Sequence, residues 1–265
     1  MKTIYNFSAG PAMLDPEVMR QIQAELLDYK GTGMSIMEMS HRSALYESVV
    51  NDAKANLKHL MQIPDNYEIL FLQGGASLQF SMIPMNLMHT HHAAAYLNSG
   101  VWSQKAIDEA KRHGDVIVVG DNAEVEYKRL PECDVLPLKI DYAYYVSNNT
   151  IYGTQFKQLP MEHPVLIADM SSDILSKPID VSKYGLIFAG AQKNLGIAGV
   201  TIVIIRKDLI RSDLNLDTML QYATHQKANS LYNTPASFSL YVLKKVTDWL
   251  LETGLDVITQ RNEHK

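Results

Sequence analysis

The 265-residue chain has a single cysteine, Cys133, so no internal disulfide can form, and the usage fits a reducing compartment. It has no apolar run long enough to cross a bilayer. Its first residues, Met1-Lys2-Thr3-Ile4-Tyr5-Asn6-Phe7, lack the apolar centre of a secretory signal. The expectation is a cytoplasmic chain with no membrane partner, in which the Asn-x-Ser/Thr triplets at Asn6 and Asn148 are chance matches. Excess positive charge is missing too: 24 Lys and Arg against 29 Asp and Glu leave a net charge of −5. That argues against a general nucleic-acid binder while leaving room for a local basic pocket. With 14 glycines and 10 prolines there is no low-complexity bias, and no internal repeat shows at solenoid periods.

What is there reads as alternating helix and strand. From Pro16, a residue suited to a first helical turn, Val18, Ile22, Leu26 and Leu27 follow helical spacing over residues 16–30. Leu45, Val49, Ala53, Leu57 and Leu60 repeat the pattern over 43–62 until Pro64 stops it. Strands are predicted at 68–72, 93–97, 115–119, 143–147, 165–170, 186–189 and 201–205, and helices at 77–87, 103–112 and 240–251. Continuous Val/Ile/Leu strands between helices predict an α/β fold. Its core is a mostly parallel, seven-stranded-type sheet sandwiched by helices, with ligands at the carboxyl ends of the strands.

Several residues in those places carry chemistry. Gly74-Gly75-Ala76-Ser77 joins a strand to a helix, where free backbone N–H groups and the helix dipole form a phosphate cradle; such turns are also ordinary connectors. No G-x-x-x-x-G-K-[ST] loop occurs, and Gly31-Thr32-Gly33 lacks the third glycine and preceding strand of a dinucleotide fingerprint. Asp169 ends the apolar run Val165-Leu166-Ile167-Ala168. A carboxylate there either takes backbone and hydroxyl hydrogen bonds from Ser171 or Ser172, or pairs with a buried cation such as a protonated ring nitrogen. Lys193 sits among small residues in Ala189-Gly190-Ala191-Gln192-Lys193-Asn194-Leu195-Gly196. It either snorkels to solvent or, desolvated, becomes a nucleophilic amine of the kind that forms a Schiff base. Trp102, after Asn98-Ser99-Gly100, either packs or stacks on a flat ring. His41-Arg42 suits a phosphate or carboxylate. His89-Thr90-His91-His92 has no carboxylate or cysteine beside it, and no metal site is expected.

Taken in order, Asn6-Phe7-Ser8-Ala9-Gly10-Pro11-Ala12-Met13, Ser40-His41-Arg42, Gly74-Gly75-Ala76-Ser77, Trp102, Thr150, Asp169-Met170-Ser171-Ser172, Ala189-Gly190-Ala191-Gln192-Lys193-Asn194 and Tyr232-Asn233-Thr234-Pro235 closely resemble the phosphoserine aminotransferase family. These are pyridoxal 5'-phosphate enzymes of fold type I, class V. The resemblance runs from Tyr5 to about Trp249. It implies that Lys193 forms the Schiff base with pyridoxal phosphate and then carries the proton between substrate and cofactor. It also implies that Asp169 pairs with the ring nitrogen, Trp102 stacks on the ring, and Thr150 bonds the ring hydroxyl side. Ala76, Ser77 and Gln192 would hold the cofactor phosphate, joined by Asn233 and Thr234 from a neighbouring subunit, so that a homodimer shares its active sites. Ser8, Ala9, His41 and Arg42 would meet the substrate, the last two gripping its phosphate. The implied reaction is ping-pong transamination in serine biosynthesis, between L-phosphoserine with 2-oxoglutarate and 3-phosphohydroxypyruvate with L-glutamate. Some bacterial members also act on a phosphorylated threonine-derived substrate in making the vitamin itself.

Residues 1–15 are expected as an N-terminal segment on the active-site side and 16–265 as the cofactor-binding large domain. The family's small C-terminal domain, with the arginine for the substrate α-carboxylate, has no counterpart before Lys265. The expectation is a truncated form with impaired catalysis. The alternatives are a non-catalytic cofactor-binding or dimerising module, and another fold type I enzyme such as a lyase or desulfurase. His41-Arg42 and the absence of a reactive cysteine disfavour the last of these.

Overall fold

A computed structural model describes residues 4–265; the first three residues of the expected N-terminal segment lie outside it. Seven helices form among the described residues: α1 (Pro16–Glu25), α2 (Ala44–Leu60), α3 (Gly75–Leu87), α4 (Val101–Ala110), α5 (Tyr222–Lys227), α6 (Ser237–Thr253) and α7 (Leu255–Glu263). The strands are β1 (Tyr67–Leu72), β2 (Ala93–Asn98), β3 (Asp115–Asp121), β4 (Tyr142–Val146), β5 (Asn148–Asn149), β6 (Thr154–Gln155), β7 (Leu166–Asp169), β8 (Leu186–Gly190) and β9 (Thr201–Arg206).

Local chemistry sets several of these boundaries. Asp15 caps α1 by accepting the Glu17 N–H at 2.8 Å, with Pro16 in the first turn. Ser43 caps α2 through the Tyr46 N–H at 3.2 Å. The first helix is shorter than its apolar spacing suggests and stops at Glu25; Leu27 is left exposed. Two short helices, α5 and α7, were not visible as periodic runs. The buried face of α5 rests on Tyr222, Ala223 and His225, and α7 has no buried residue.

Seven strands form one sheet in the order β1-β9-β8-β7-β4-β2-β3, and β5 and β6 make a separate two-stranded ribbon. β3, β2, β4, β7 and β8 pair in parallel, whereas β9 runs antiparallel to both β8 and β1. The sheet is thus mostly parallel, and every strand but β9 points its carboxyl end the same way.

Alternation along each strand sends side chains into two apolar layers. Leu166 and Ala168 of β7 join Val49, Leu57, Leu240 and Leu243 of α2 and α6 on one face. Ile167 and its neighbour Phe188 join Phe80 and Ile83 of α3 and Ile107 of α4 on the other. Fully buried aliphatic side chains such as Leu166 and Ile167 each contribute about 1.5–3 kcal/mol, which helps offset the cost of the carboxylate that ends the same strand. By this alternation Asp169, two residues after Ile167, falls on the α3 side. The turn at 89–92 is held by Asp141, whose carboxylate accepts the Thr90 and His91 N–H groups at 3.0 Å. Those histidines therefore belong to a capped turn.

Candidate active site

Five loops leave the carboxyl ends of the co-directed strands and converge. β1 leads through Gly74 into the N-terminus of α3. Gly74 takes a φ of +91° that favours glycine, and so lets the chain turn directly from strand to helix. The first-turn N–H groups of Gly75, Ala76 and Ser77 have no intrahelical acceptor. β2 leads to Trp102 in the first turn of α4. The Ser103 hydroxyl accepts the Ser99 and Gly100 N–H groups at 2.9 and 3.0 Å and so fixes that turn. β4 leads to Ser147 and Thr150, β7 ends at Asp169, and β8 leads to Gln192 and Lys193. Together Gly75, Ala76, Ser77, Trp102, Asp169 and Lys193 border a cavity of about 140 Å³, with Gln192, Ser171 and Ser172 also on its wall.

Within it the charged pair is well defined. The Lys193 Nζ donates to Thr150 Oγ1 at 2.8 Å and lies 5.5 Å from the centroid of the Trp102 ring. Burial pushes the amine below the ordinary lysine value, and the Asp169 and Asp173 carboxylates partly oppose that. Asp169 is 5% exposed. Its Oδ1 accepts the Ser171 N–H at 2.9 Å and the Ser171 hydroxyl at 2.6 Å, while Ser171 Oγ accepts the Gly190 N–H at 3.1 Å. The serine bonds that the sequence offered mount the carboxylate, and Asp169 also borders the cavity. Burial raises its pKa, Ser171 and Lys193 pull it down, and Asp173 adds to the rise.

The fit to pyridoxal phosphate can be tested on these residues. A flat ring needs an aromatic face, a ring N–H⁺ needs a carboxylate, an aldehyde needs an amine, and a phosphate needs free N–H donors. Trp102, Asp169, Lys193 and the α3 N-terminus supply them around one cavity. The buried Nε1 of Trp102 has no hydrogen-bond partner among the described residues. The residues fit the group.

Other expected site residues stand elsewhere in this chain. Ser8 and Ala9 are exposed, on the segment that precedes the Gly10 contact with Lys193. His41 is half-buried with an unpartnered Nε2, and Arg42 is exposed beside the α2 cap. Asn233 and Thr234 are exposed near Gln73, whose Nε2 donates to the Thr234 carbonyl at 2.9 Å. None of these six borders the 140 Å³ cavity. On its other side Lys193 borders a second cavity of about 320 Å³, shared with Met13, Trp249, Arg261 and Lys265.

Residues that the sequence did not single out also build the site. Ser147, Gln155 and Asp173 form a polar cluster behind Asp169, with no periodic pattern to betray it. Gly10 belongs to a motif that carried only the resemblance. A Cβ placed on it would stand 2.9 Å from Lys193 Cγ, and the Ala12 N–H donates to the Gln192 carbonyl at 2.9 Å. The N-terminal segment therefore lies as a strap along the Lys193 stem. Gly10→Ala is expected to push the lysine off its position. The rate at which the chain combines with pyridoxal phosphate should fall about ten- to a hundredfold, the range that a small misplacement costs. Stopped-flow absorbance would measure it, and an unchanged rate would mean the strap gives way freely.

The class-V aminotransferase family profile matches residues 4–265. The chain is 53% identical to a phosphoserine aminotransferase of Bacillus cereus, matching over all of this chain and 75% of that one. Among solved structures, the phosphoserine aminotransferase from Bacillus circulans subsp. alkalophilus superposes with a TM-score of 0.94 at 50% identity, covering 97% of this chain and 73% of that one. A pyridoxal-phosphate-bound phosphoserine aminotransferase from Trichomonas vaginalis gives a TM-score of 0.93 at 40% identity, over 98% of this chain and 79% of that one.

Proposed function

Because this chain belongs to the class-V aminotransferases, among the phosphoserine aminotransferases, we propose that it transfers the amino group of L-phosphoserine to 2-oxoglutarate in serine biosynthesis. Lys193 is the catalytic residue of this reading. The observation that carries it is the meeting of the Lys193 amine and the Asp169 carboxylate in one cavity, between the Trp102 ring and the N-terminus of α3.

Bound there, pyridoxal phosphate supplies an aldehyde that takes up an amino group and a ring that draws electrons from the substrate Cα. Ala76, Ser77 and Gln192 hold its phosphate, the first two through the backbone donors of the α3 first turn. Trp102 gives the ring a flat apolar face. Asp169, fixed by Ser171, would offer its free oxygen to the ring nitrogen and hold a proton there. Lys193 Nζ would hold the group, and the same amine would move the proton at the substrate Cα. Its depressed basicity suits that task, because a neutral amine can accept the proton. Thr150 restrains the amine between the two duties.

The positions of His41, Arg42, Asn233 and Thr234 support a homodimer in which each chain completes the partner's site. They lie outside the cavity of their own chain, and Met34, Met37 and Tyr232 close by in sequence are exposed apolar side chains. In that assembly His41 and Arg42 grip the substrate phosphate, Asn233 and Thr234 reach the cofactor phosphate, and Ser8 and Ala9 approach the substrate from the strap. Residues 16–265 then form the cofactor-binding domain and the preceding segment closes over it. No helix among the described residues is long and apolar enough to cross a membrane; with the lone Cys133 this supports a cytoplasmic enzyme.

The test is spectroscopic. Mixed with pyridoxal phosphate, the chain should develop the visible band of the lysine-linked cofactor, and L-phosphoserine should bleach it within one turnover. A band indifferent to L-phosphoserine but bleached by another amino acid would sink phosphoserine as the donor. No band at all would sink the cofactor reading.

A further inference from the structure

One half-buried carboxylate near the site has no part in the chemistry so far. Asp173 lies four residues past Asp169, in the turn that follows β7. The Ser147 hydroxyl donates to its Oδ1, and Gln155 Nε2 donates to its Oδ2 at 3.1 Å. Ser147 has one hydroxyl proton and two nearby acceptors, Asp173 and the Asp169 carbonyl at 3.1 Å. The carbonyl already accepts the Ser147 backbone N–H at 3.0 Å, which frees the hydroxyl proton for Asp173. Burial raises the Asp173 pKa, and the donors on both oxygens, with Lys177 nearby, pull it back toward the charged form.

The arrangement ties three pieces of backbone together. Ser147 follows β4, Gln155 belongs to β6, and Asp173 follows β7. Beside them Asn148 Nδ2 donates to Ser172 Oγ at 2.8 Å, and that hydroxyl donates back to the Asn148 carbonyl at 3.0 Å. The charged groups that bear on the Lys193 amine are Asp169 and Asp173; Lys105 also meets the Trp102 ring, its Nζ 5.0 Å from the centroid. Asp173 itself is faced by Lys177, Asp180, Tyr145 and Tyr184, along a separate cavity of about 280 Å³.

We propose that Asp173 is a positioning residue for the Lys193–Asp169 pair: it clamps the ends of β4 and β7 through Ser147 and Gln155, and it sets a second negative charge behind the Lys193 amine. The inference rests on the pyridoxal-phosphate reading for its purpose, though not for its measurement. Burial alone would leave the amine less basic than it is, because Asp169 and Asp173 both raise it. Without the second charge the lysine would give up its proton at a lower pH. Without the clamp the turn after β7 that carries Asp173 would lose its side-chain tie to the end of β4, while the backbone bond from Ser147 to the Asp169 carbonyl would remain.

Two substitutions separate charge from clamp. Asp173→Asn keeps the shape and a contact to Ser147 but removes the charge. Ser147→Ala keeps the charge but breaks the clamp. In the cofactor-free chain, the pH dependence of acetic anhydride labelling at Lys193, read by mass spectrometry, gives the amine's midpoint. Asp173→Asn should lower that midpoint by about one unit, the size expected for a partly screened charge nearby, and Ser147→Ala should leave it in place. Titration with pyridoxal phosphate should then show the reverse, with Ser147→Ala weakening binding about tenfold, as loss of a supporting contact does to a held group, and Asp173→Asn weakening it less. A midpoint that Asp173→Asn does not move would overturn the proposal. So would two variants that behave alike in both measurements, since that is what general loss of packing gives. A parent chain that forms no visible band would instead sink the cofactor reading and leave the Lys193 midpoint free to decide this one.

Discussion

Lys193→Ala abolishes transamination and leaves the fold intact. The expected loss is at least about 10⁴-fold, because one side chain serves both as nucleophile and as proton carrier. Its stem runs beneath Gly10, its amine bonds Thr150 at 2.8 Å, and no other residue bordering the 140 Å³ cavity offers an amine. The variant should lose little stability, because burial already makes the charged amine unfavourable in the parent. Borohydride reduction with pyridoxal phosphate, followed by peptide mass spectrometry, checks the assignment directly. The parent should gain the reduced adduct on the peptide that contains Lys193, and the variant should gain none. The competitor is Lys105, whose ammonium lies 5.0 Å from the centroid of the same tryptophan ring. An adduct on Lys105 in the parent would overturn the assignment.

The parts of the molecule that showed in the sequence are those whose chemistry is local. β7 was visible because four apolar residues in a row end in a carboxylate, and the structure keeps that order in Leu166–Asp169. The start of α3 was visible because two glycines interrupt a strand and a helix at once. Lys193 drew notice as a charge among small residues. Strand direction was not visible. β9 reads like the parallel strands of the sheet, since all five of Thr201 to Ile205 are buried, and burial carries no sign of orientation. The polar cluster around Asp173 was hidden for another reason. Ser147, Gln155 and Asp173 are ordinary polar residues, brought together by the parallel pairing of β4 with β7 and by the turns beyond it. His41-Arg42 showed only as a basic pair fit for an anion, the roles of Asn233 and Thr234 came only from the resemblance, and all four stand away from the cavity of their own chain.

Asp169→Asn separates the electronic duty of this residue from its structural one. Asparagine can keep Oδ1 as the acceptor for the Ser171 N–H and hydroxyl, so the mount on β8 through Gly190 survives. The other position becomes an N–H donor, which repels a protonated ring nitrogen instead of holding its proton. Turnover should fall about 10²–10³-fold, the usual worth of one preorganised charge in a closed site, with a smaller change in cofactor affinity. Stability should move the other way. Burial raises the Asp169 pKa above its unfolded value, which lies near 3.8. Between the two values the native chain holds a proton that the unfolded chain has released, so unfolding free energy falls as pH rises through that window and stays low above it. The asparagine variant carries no such penalty. Urea unfolding of both cofactor-free chains across pH should therefore show the variant gaining on the parent through the window and keeping its lead at neutral pH. A parent that gains on the variant with rising pH would mean the carboxylate is stabilised in its charged form and the desolvation argument is wrong. A variant that is more stable and far slower marks a residue whose burial the fold bears for the sake of the reaction.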